Sequence, residues 1–573
     1  MIKKFIRVVK SVMKRLLQSL QRFPEPLALA CIVVTILIIN NHAEQLEERN
    51  IRLAMIFALG IPLTLCLRLF MERKRVSKTA IAIAYLLTAI FLLLYHHLLL
   101  PELHFVTLTR YFAYSTALYL LFMVISYLGI NEGFELYVIK LFTDFIITFF
   151  YSLVLYLGLA AIIGTINLLF SVGISSKLYF DLWLIVAGIF APAYFLAAIP
   201  ASGEMSKMED YPKFLQILLL YIVMPLLTAY TAILYLYFLK IIVTRVWPAI
   251  MVSHLVLWYS LLSTVVIFFI SPLKEENAWV GVFMKYFPKL ILPILIMMFA
   301  AMGIRINAYG ITEKRYLVLA GGLWTSGAML YYALRRKAVN IRIMIAAALI
   351  ACLVVSGPWS AYAVSIYSQN KQMKKLLTKN NMLEEGQIVP AKTISLQDKK
   401  GICSIISYFN SYHDLSDLEV LPPDFTLDKM TEIFGFDLTC AESVNKFFSH
   451  RVEERQILLN VQNYDYLLSS NVGLYDGMSF RQDSLRISYQ EQTLQITRDG
   501  KNILELDVAR IALQIHEANS GEDILPSEKM TFTDENEHLT IKLIFHSIDG
   551  TEDLATGNAQ ISWIDFSALL KVY

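Results

Sequence analysis

The stretch that decides the fold is PKLILPILIMMFAAMGIRINAYGITEKRYLVLAGGLW, residues 288–324. It covers most of two apolar runs, 287–304 and 316–334, and the short polar segment RINAYGITEK between them. A membrane-spanning helix needs about 20 mostly apolar residues, and each run approaches that length. The stretch therefore predicts two antiparallel spans joined by a tight polar turn.

The same pattern extends through most of the chain. Of 573 residues, 57% are hydrophobic and only 17% are charged, against about 25% charged residues in an average globular chain. Eleven segments are candidate spans: 27–41, 53–71, 79–98, 111–130, 144–171, 178–200, 215–243, 249–270, 287–304, 316–334 and 342–363. The composition indicates a multi-pass membrane protein, with membrane lipid as a partner and no nucleic acid.

Charge divides the chain near residue 364. Residues 1–364 carry a net charge of +15 and residues 365–573 a net charge of −12, which suggests two different solvents. The predicted fold is an α-helical polytopic membrane bundle followed by a soluble α+β domain with an antiparallel sheet. Its parts are a basic amphipathic cytoplasmic helix (1–22), a transmembrane helical domain (23–364), a polar linker (365–395) and an extracytoplasmic α+β domain (396–573).

Orientation follows from the lysines and arginines of the connections, which concentrate on the cytoplasmic side. With the N-terminus in the cytoplasm, the cytoplasmic segments hold 21 of them and the opposite connections hold nine. The predicted location is a cytoplasmic (inner) membrane. Eleven spans then place the C-terminal domain outside the cytoplasm, and ten would reverse its side.

The turn at 305–316 supplies the first candidate site. Gly310 suits a helix end, Thr312 suits a helix N-cap, and Glu313 in the first turn favours the helix dipole. One interpretation is anchoring, with the arginines and tyrosines at the membrane interface. The other is an arginine pair that holds a phosphate or carboxylate. The candidate residues are Arg305, Tyr309, Gly310, Thr312, Glu313, Arg315 and Tyr316.

Polar groups inside spans are functional candidates because burying them in lipid is costly. His254 and Asn167 are the two chosen here, and no span carries a central Asp, Glu or Lys. In the C-terminal part, Cys403 and Cys440 can form a disulfide if that part lies in an oxidising compartment.

The C-terminal part changes its pattern near residue 455. Helical patterns at 401–412, 426–436 and 441–448 precede period-two segments such as SLRISY (484–489) and TLQITR (493–498), which predict strands. Asp499-Gly500 predicts a hairpin turn. No catalytic, metal-ligating or cofactor-binding motif is present.

Several blocks of sequence resemble one bacterial family, the domain of unknown function 4153. They are FLAAIP (195–200), YPKFLQILLLYIVMPLL (211–227), WPAIMVSHLVLW (247–258), SPLKEENAWVGVFMKYFPKLILP (271–293), RINAYGITEKRY (305–316) followed by LWTSG, ISYFNSYHDLSDLEVLPPDF (406–425) and YDYL (464–467). The resemblance implies a multi-pass membrane protein and brings no assigned activity or catalytic residue.

Three hypotheses for function remain. The first is a non-enzymatic envelope protein whose extracytoplasmic domain senses or binds an envelope ligand or protein partner. The second is a transporter or flippase of a lipid-like or anionic substrate, suggested by prolines in spans and by Arg305 and Arg315. The third is an enzyme like the lipid-linked glycosyltransferases, weakened because the loop 42–50 has glutamates and no aspartate.

Overall fold

The structure is a computed structural model of the chain. It describes residues 2–43, 47–74, 76–128, 133–200, 211–245, 251–335, 337–391, 393–437, 445–453, 461–473, 477–482, 484–490, 492–519, 522–553 and 558–573. Two compact units are present. The first contains Met1–Val389 and Ile405–Phe425, and the second contains Pro390–Ser404 and Thr426–Tyr573.

The first unit is helical. Its helices are α1 (Ile2–Arg22), α2 (Pro24–His42), α3 (Glu48–Arg73), α4 (Lys78–Leu98), α5 (Phe105–Ile125), α6 (Phe134–Phe170), α7 (Ser176–Ile185), α8 (Ala191–Ala198), α9 (Lys213–Ile217), α10 (Met224–Thr244), α11 (Met251–Ile270), α12 (Ala278–Tyr309), α13 (Glu313–Leu334), α14 (Ile341–Leu353) and α15 (Ala361–Lys379). After α15 come a two-stranded hairpin, β1 (Leu383–Glu384) and β2 (Gln387–Ile388), and the helix α16 (Leu396–Tyr412).

In the described part of the chain, ten helices are long and apolar enough to cross a membrane. They coincide with the first ten predicted spans, which confirms a polytopic helical membrane protein. The predicted span 342–363 differs, because α14 ends at Leu353 and a turn with Gly357 at a φ of +74° precedes α15. Hydropathy did not detect this break, because Val354, Val355 and Trp359 are apolar and extend the hydrophobic run.

Apolar side chains cover the outside of the helical unit as well as its interior. Leu168 is 82% exposed and Val243 is 74% exposed, whereas Ile291, Ile294 and Met298 of α12 are fully buried. Such helices, hydrophobic on every face, are typical of a lipid surrounding. The predicted linker 365–395 is largely the helix α15 and the hairpin β1–β2.

Two of the described helical spans contain a wider, π-helical turn. Val186–Phe190 joins α7 to α8, and Leu218–Val223 joins α9 to α10. In each case a proline, Pro192 or Pro225, follows as the second residue of the next helix. The wide turn therefore ends where the chain reaches a residue that has no backbone N–H to donate.

The second unit is rich in strands. They are β3 (Asn445–Val452), β4 (Tyr466–Gly473), β5 (Met478–Gln482), β6 (Leu485–Gln490), β7 (Thr493–Arg498), β8 (Lys501–Asp507), β9 (Ile524–Leu525), β10 (Thr531–Glu535), β11 (Leu539–Asp553) and β12 (Asn558–Val572). Two helices accompany them, α17 (Met430–Phe434) and α18 (Val508–Ala518).

These strands form two sheets. One has the order β4-β12-β11-β3-β9, with β10 also paired to β11, and among the described strand pairs only β3–β9 is parallel. The other is an antiparallel meander of β5, β6, β7 and β8. Asp499 and Gly500 have φ values of 52° and 78° between β7 and β8, which confirms the predicted hairpin.

One secondary-structure prediction for this unit was wrong. The pattern at 441–448 suggested a helix, but the described residues from Asn445 onward form β3, which pairs with β11. A seven-residue ladder from Asn445 to Arg451 outweighs the weak local helical propensity. The first half of the segment lies outside the described residues.

Candidate functional site

The turn between α12 and α13 is held by α15. The Gln369 side-chain amide donates hydrogen bonds to the carbonyls of Tyr309 (3.1 Å) and Ile311 (2.9 Å). The Ile311 amide donates to Ser368 Oγ at 2.8 Å. Because Gln369 is 3% exposed, these bonds are shielded from water and fix the turn on the helix.

Gly310 is required at this turn for two reasons. Its φ is +71° and its ψ is 178°, a backbone region that is essentially restricted to glycine and costs other residues about 1–3 kcal/mol. A Cβ there would also lie 2.9 Å from Gln369 Nε2. The glycine therefore lets α15 approach the backbone of the turn.

The cations and tyrosines of the turn divide into bonded and unbonded groups. Arg315 Nη1 donates to the carbonyls of Gly310 (2.6 Å) and Tyr309 (3.2 Å), and Tyr316 Oη donates to the Trp359 carbonyl at 2.6 Å. Within the described residues, Arg305 is half-buried and makes no hydrogen bond. The anion site of Arg305 and Arg315 stays a prediction, since Arg315 already caps the backbone.

Glu313 begins α13 and is 3% exposed. Thr312 occupies the N-cap position with extended backbone but makes no capping bond through its side chain. Tyr408 Oη donates to Glu313 Oε1 at 2.5 Å, and His413 Nε2 lies 2.6 Å from the same oxygen. The three side chains form a buried cluster, named here the Glu–His–Tyr cluster.

The Glu313 carboxylate determines which groups of the cluster donate hydrogen bonds. An ionised glutamate only accepts, so Tyr408 donates its hydroxyl proton and His413 donates from Nε2. Burial, reinforced by the bond to Glu313, raises the pKa of Tyr408, which keeps this hydroxyl protonated. Within the described residues the other ring nitrogen of His413, Nδ1, has no hydrogen-bond partner.

The segment after α16 presents His413. Its amide donates to the Phe409 carbonyl at 2.9 Å and closes the helix. Asp414 then accepts from the Ser416 amide at 2.8 Å and begins a short 3₁₀ turn. The hydrogen bond from the Ser416 amide lowers the pKa of Asp414.

The α15 helix also fixes this segment. The buried Asn370 donates to the Asp417 carbonyl and accepts from the Glu419 amide, both at 2.8 Å. One helix thus binds the α12–α13 turn through Gln369 and the segment 405–425 through Asn370.

A cavity of about 340 Å³ lies beside His413. It is lined by Asn410, His413, Asp414, Leu415, Ser416, Pro422, Pro423 and Phe425. His413 therefore contacts a buried carboxylate and also belongs to the lining of this cavity.

The remaining predicted residues lie elsewhere. Asn167 Oδ1 accepts from the Ile174 amide at 2.9 Å and caps the end of α6, a structural role. His254 is exposed on α11. Cys403 is buried and disulfide-bonded, but Cys440 lies outside the described residues, so their pairing stays a prediction.

Sequence reasoning missed two clusters. Tyr408 and His413 lie 95 and 100 residues from Glu313, and the only signal was their block at 406–425. In the second unit, His450 Nε2 lies 2.9 Å from His516 Nδ1, with both rings buried. In the described part of the chain, no three His, Cys, Asp or Glu residues are placed to hold a metal ion.

The helical unit and the sheet unit together define a multi-pass membrane protein with a strand-rich C-terminal region. The family described as Domain of unknown function (DUF4153) matches residues 27–385, and the chain belongs to this family. The match includes Glu313 and ends before Tyr408 and His413.

One curated relative is "Uncharacterized protein PM1469" of Pasteurella multocida (strain Pm70). It is 22% identical over 402 residues, which cover 70% of this chain and 66% of the relative. The chain thus spans slightly less than two thirds of that relative's length. No solved structure matches the chain.

Proposed function

We propose that this chain is a non-enzymatic protein of the bacterial cytoplasmic membrane that binds an envelope ligand on the extracytoplasmic side. The observation that carries the proposal is the cavity beside His413, backed by the buried Glu313. Buried ionisable groups are costly, and they concentrate at binding and active sites. A ligand in the cavity would contact His413, which binds Glu313 in the first turn of α13.

The sidedness rests on charge and on α14. The 21-to-9 distribution of lysine and arginine supports a cytoplasmic N-terminus. α14 has 13 residues and is about 20 Å long, so the turn after it must complete the crossing. On α1, Met13, Leu17 and Leu20 are more than half exposed beside basic residues, as suits a helix on an anionic membrane surface.

Cysteine labelling tests this sidedness. In a chain without its natural cysteines, Lys501→Cys in the β7–β8 hairpin is expected to react with an impermeant reagent on intact cells whose outer membrane, if present, has been permeabilised. Lys10→Cys on α1 is expected to react only after lysis. Equal behaviour of the two positions would place both ends on one side and remove the extracytoplasmic site.

A cavity-filling variant tests the binding function. Ser416 lines the cavity with an exposed side chain, so Ser416→Trp fills the space while the three residues of the Glu–His–Tyr cluster stay unsubstituted. We expect it to reproduce the envelope phenotype of a gene deletion at normal protein abundance. Ser411→Trp, an exposed position outside the lining, is the matched control. A wild-type phenotype for Ser416→Trp beside a defective deletion strain would contradict the proposal.

Transport is the second candidate function. The half-buried Arg305, without a hydrogen bond in the described chain, and the π-helical turns before Pro192 and Pro225 favour it, because such turns are frequent at functional sites. Loss of substrate-dependent flux in liposomes on Arg305→Ala would support it. The glycosyltransferase-like alternative gains nothing comparable, since Glu48 accepts from the Leu103 amide and pairs with Arg52.

A further inference from the structure

We propose that the cavity beside His413 takes a neutral, hydroxyl-rich ligand of the saccharide type. This inference rests on the proposed function, because it names the ligand class of the same cavity. Four features of the lining carry it: its charge, its polar side chains, its apolar wall and the hydrogen bonds that orient the His413 ring.

The charge of the lining disfavours anions. Among the lining residues, Asp414 is the one carboxylate, and its pKa is lowered, so it is ionised at neutral pH. His413 and Glu313 form a pair that together adds no net positive charge. Lys314 lies with its ammonium 5.5 Å from the Tyr412 ring centroid and is not a lining residue. A phosphate or carboxylate would therefore meet a negative site.

The polar lining matches hydroxyl groups. Asp414 accepts hydrogen bonds, Asn410 both donates and accepts, and Ser416 does the same through its hydroxyl. Hydroxyls on a sugar ring can serve as donors or acceptors, so each of these side chains has a partner of the correct polarity. An ammonium ligand would satisfy Asp414 but leave the donors of Asn410 and Ser416 unused.

The rest of the lining is apolar and mostly cyclic. Pro422, Pro423 and Phe425 supply ring surfaces, against which the C–H face of a sugar ring packs. The volume of about 340 Å³ is at the small end of ligand sites, which run from about 300 to 1,000 Å³. One or two sugar rings are the appropriate size.

His413 adds direction to this site. Because Glu313 accepts the hydrogen bond from Nε2–H, Nδ1 of the neutral ring is left with a lone pair that can accept a hydrogen bond from a ligand hydroxyl. The buried carboxylate and the Tyr408 hydroxyl fix the ring orientation. The histidine is thus a positioned acceptor at the edge of the cavity.

The test uses the full chain in lipid nanodiscs and probes that share one ring but differ in charge. D-glucose and N-acetyl-D-glucosamine are neutral, D-glucosamine is cationic, and D-glucose 6-phosphate is anionic. Saturation-transfer NMR reports direct binding. We expect the neutral sugars to bind and the 6-phosphate to bind about tenfold more weakly, the scale of one like-charge contact near a surface.

Variants connect the signal to the cavity. Ser416→Trp and Asn410→Leu are each expected to abolish it, whereas Ser411→Trp keeps it and Asp414→Asn reduces the discrimination against the phosphate. Stronger binding of the 6-phosphate or of glucosamine than of both neutral sugars, no transfer to any neutral sugar, or transfer unchanged in both cavity variants would overturn the proposal. A Ser416→Trp phenotype in cells without sugar binding in vitro would leave the binding function standing and reject only the ligand class.

Discussion

His413 and His450 are both buried, and both make a short contact through Nε2, but their surroundings differ. His413 meets a carboxylate at 2.6 Å and lines a cavity. His450 meets a second imidazole, and Phe448 stacks on that ring with centroids 3.5 Å apart. The first histidine has a charged partner and an opening, and the second has neither among the described contacts.

The difference shows that burial alone does not mark a functional histidine. His450 Nδ1 lies 2.7 Å from the Glu522 carbonyl and must donate to it, so its Nε2 accepts from His516. His450 Nε2 and His516 Nδ1 are hydrogen-bonded to each other, and the pair connects β3 to α18. His413 has Nδ1 available to a ligand, whereas the His450–His516 pair is a structural contact.

The largest expected effect is on the carboxylate. Glu313→Ala leaves two buried donors, the Tyr408 hydroxyl and His413 Nε2–H, without their acceptor. It should destabilise the first unit by about 2–6 kcal/mol, about 1–3 kcal/mol for each donor, with Glu313→Gln intermediate. Thermal unfolding in one detergent measures it. The matched control is Glu102→Ala, whose pair with His104 has the same 2.6 Å distance but side chains 68% and 70% exposed. That pair is expected to contribute about 0–1 kcal/mol, and equal losses would mean that burial is irrelevant.

The second effect is on the His450–His516 pair. His516→Ala leaves His450 Nε2 without its donor and opens space beside Phe448, a loss of about 2–3 kcal/mol. Hydrogen exchange in β3 and α18 reports it. His450→Ala and the double variant complete a cycle, and additive losses would show that the two rings do not interact.

The third effect tests the turn that carries Glu313. Gly310→Ala forces a Cβ against Gln369 at a φ of +71°, at a cost of about 1–3 kcal/mol. Gly327→Ala in the middle of α13, where a Cβ meets no heavy atom within 4 Å, should instead stabilise by up to about 1 kcal/mol. The melting temperatures of the two variants test this prediction. An unchanged melting temperature for Gly310→Ala would mean that α15 moves to make room for the Cβ.

The smallest effect is the pH dependence of Asp414. Its folded-state pKa is lowered, so its contribution is present above the unfolded value, near 3.8, and disappears as the pH falls through the lower folded value. Asp414→Asn should accelerate exchange of the Ser416 amide by about twofold to fivefold near neutral pH, the scale of a surface contact. The gap should close in strong acid, and a gap that persists there would assign the protection to another group.

Local signals predicted much of the fold. Hydropathy located ten spans, and period-two alternation located the strands β6 and β7. The break after Leu353 was missed because apolar residues continue across Gly357. The strand β3 was missed because its pairing with β11 is about 100 residues distant in sequence.

The site was only half predictable. Gly310 and Glu313 stood out through turn and helix-start chemistry, which act over a few residues. Tyr408 and His413 reach Glu313 through tertiary packing, and a single sequence carries no signal for a contact across 95 residues. Gln369 and Asn370 were treated as part of a polar linker because their partners are backbone groups, which no side-chain pattern reveals.

The wide turn at Val186–Phe190 has a consequence for the register of its span. A π-helical turn holds one residue more than the α-helix, and one residue rotates a helix by about 100°. The residues before and after the turn therefore follow separate registers within one span. Deleting a single residue there would turn α8 by that angle and move Tyr194 away from Arg15, which now donates to its hydroxyl at 3.2 Å. The π-helical turn therefore sets the rotational offset between the faces of α7 and α8 within one span.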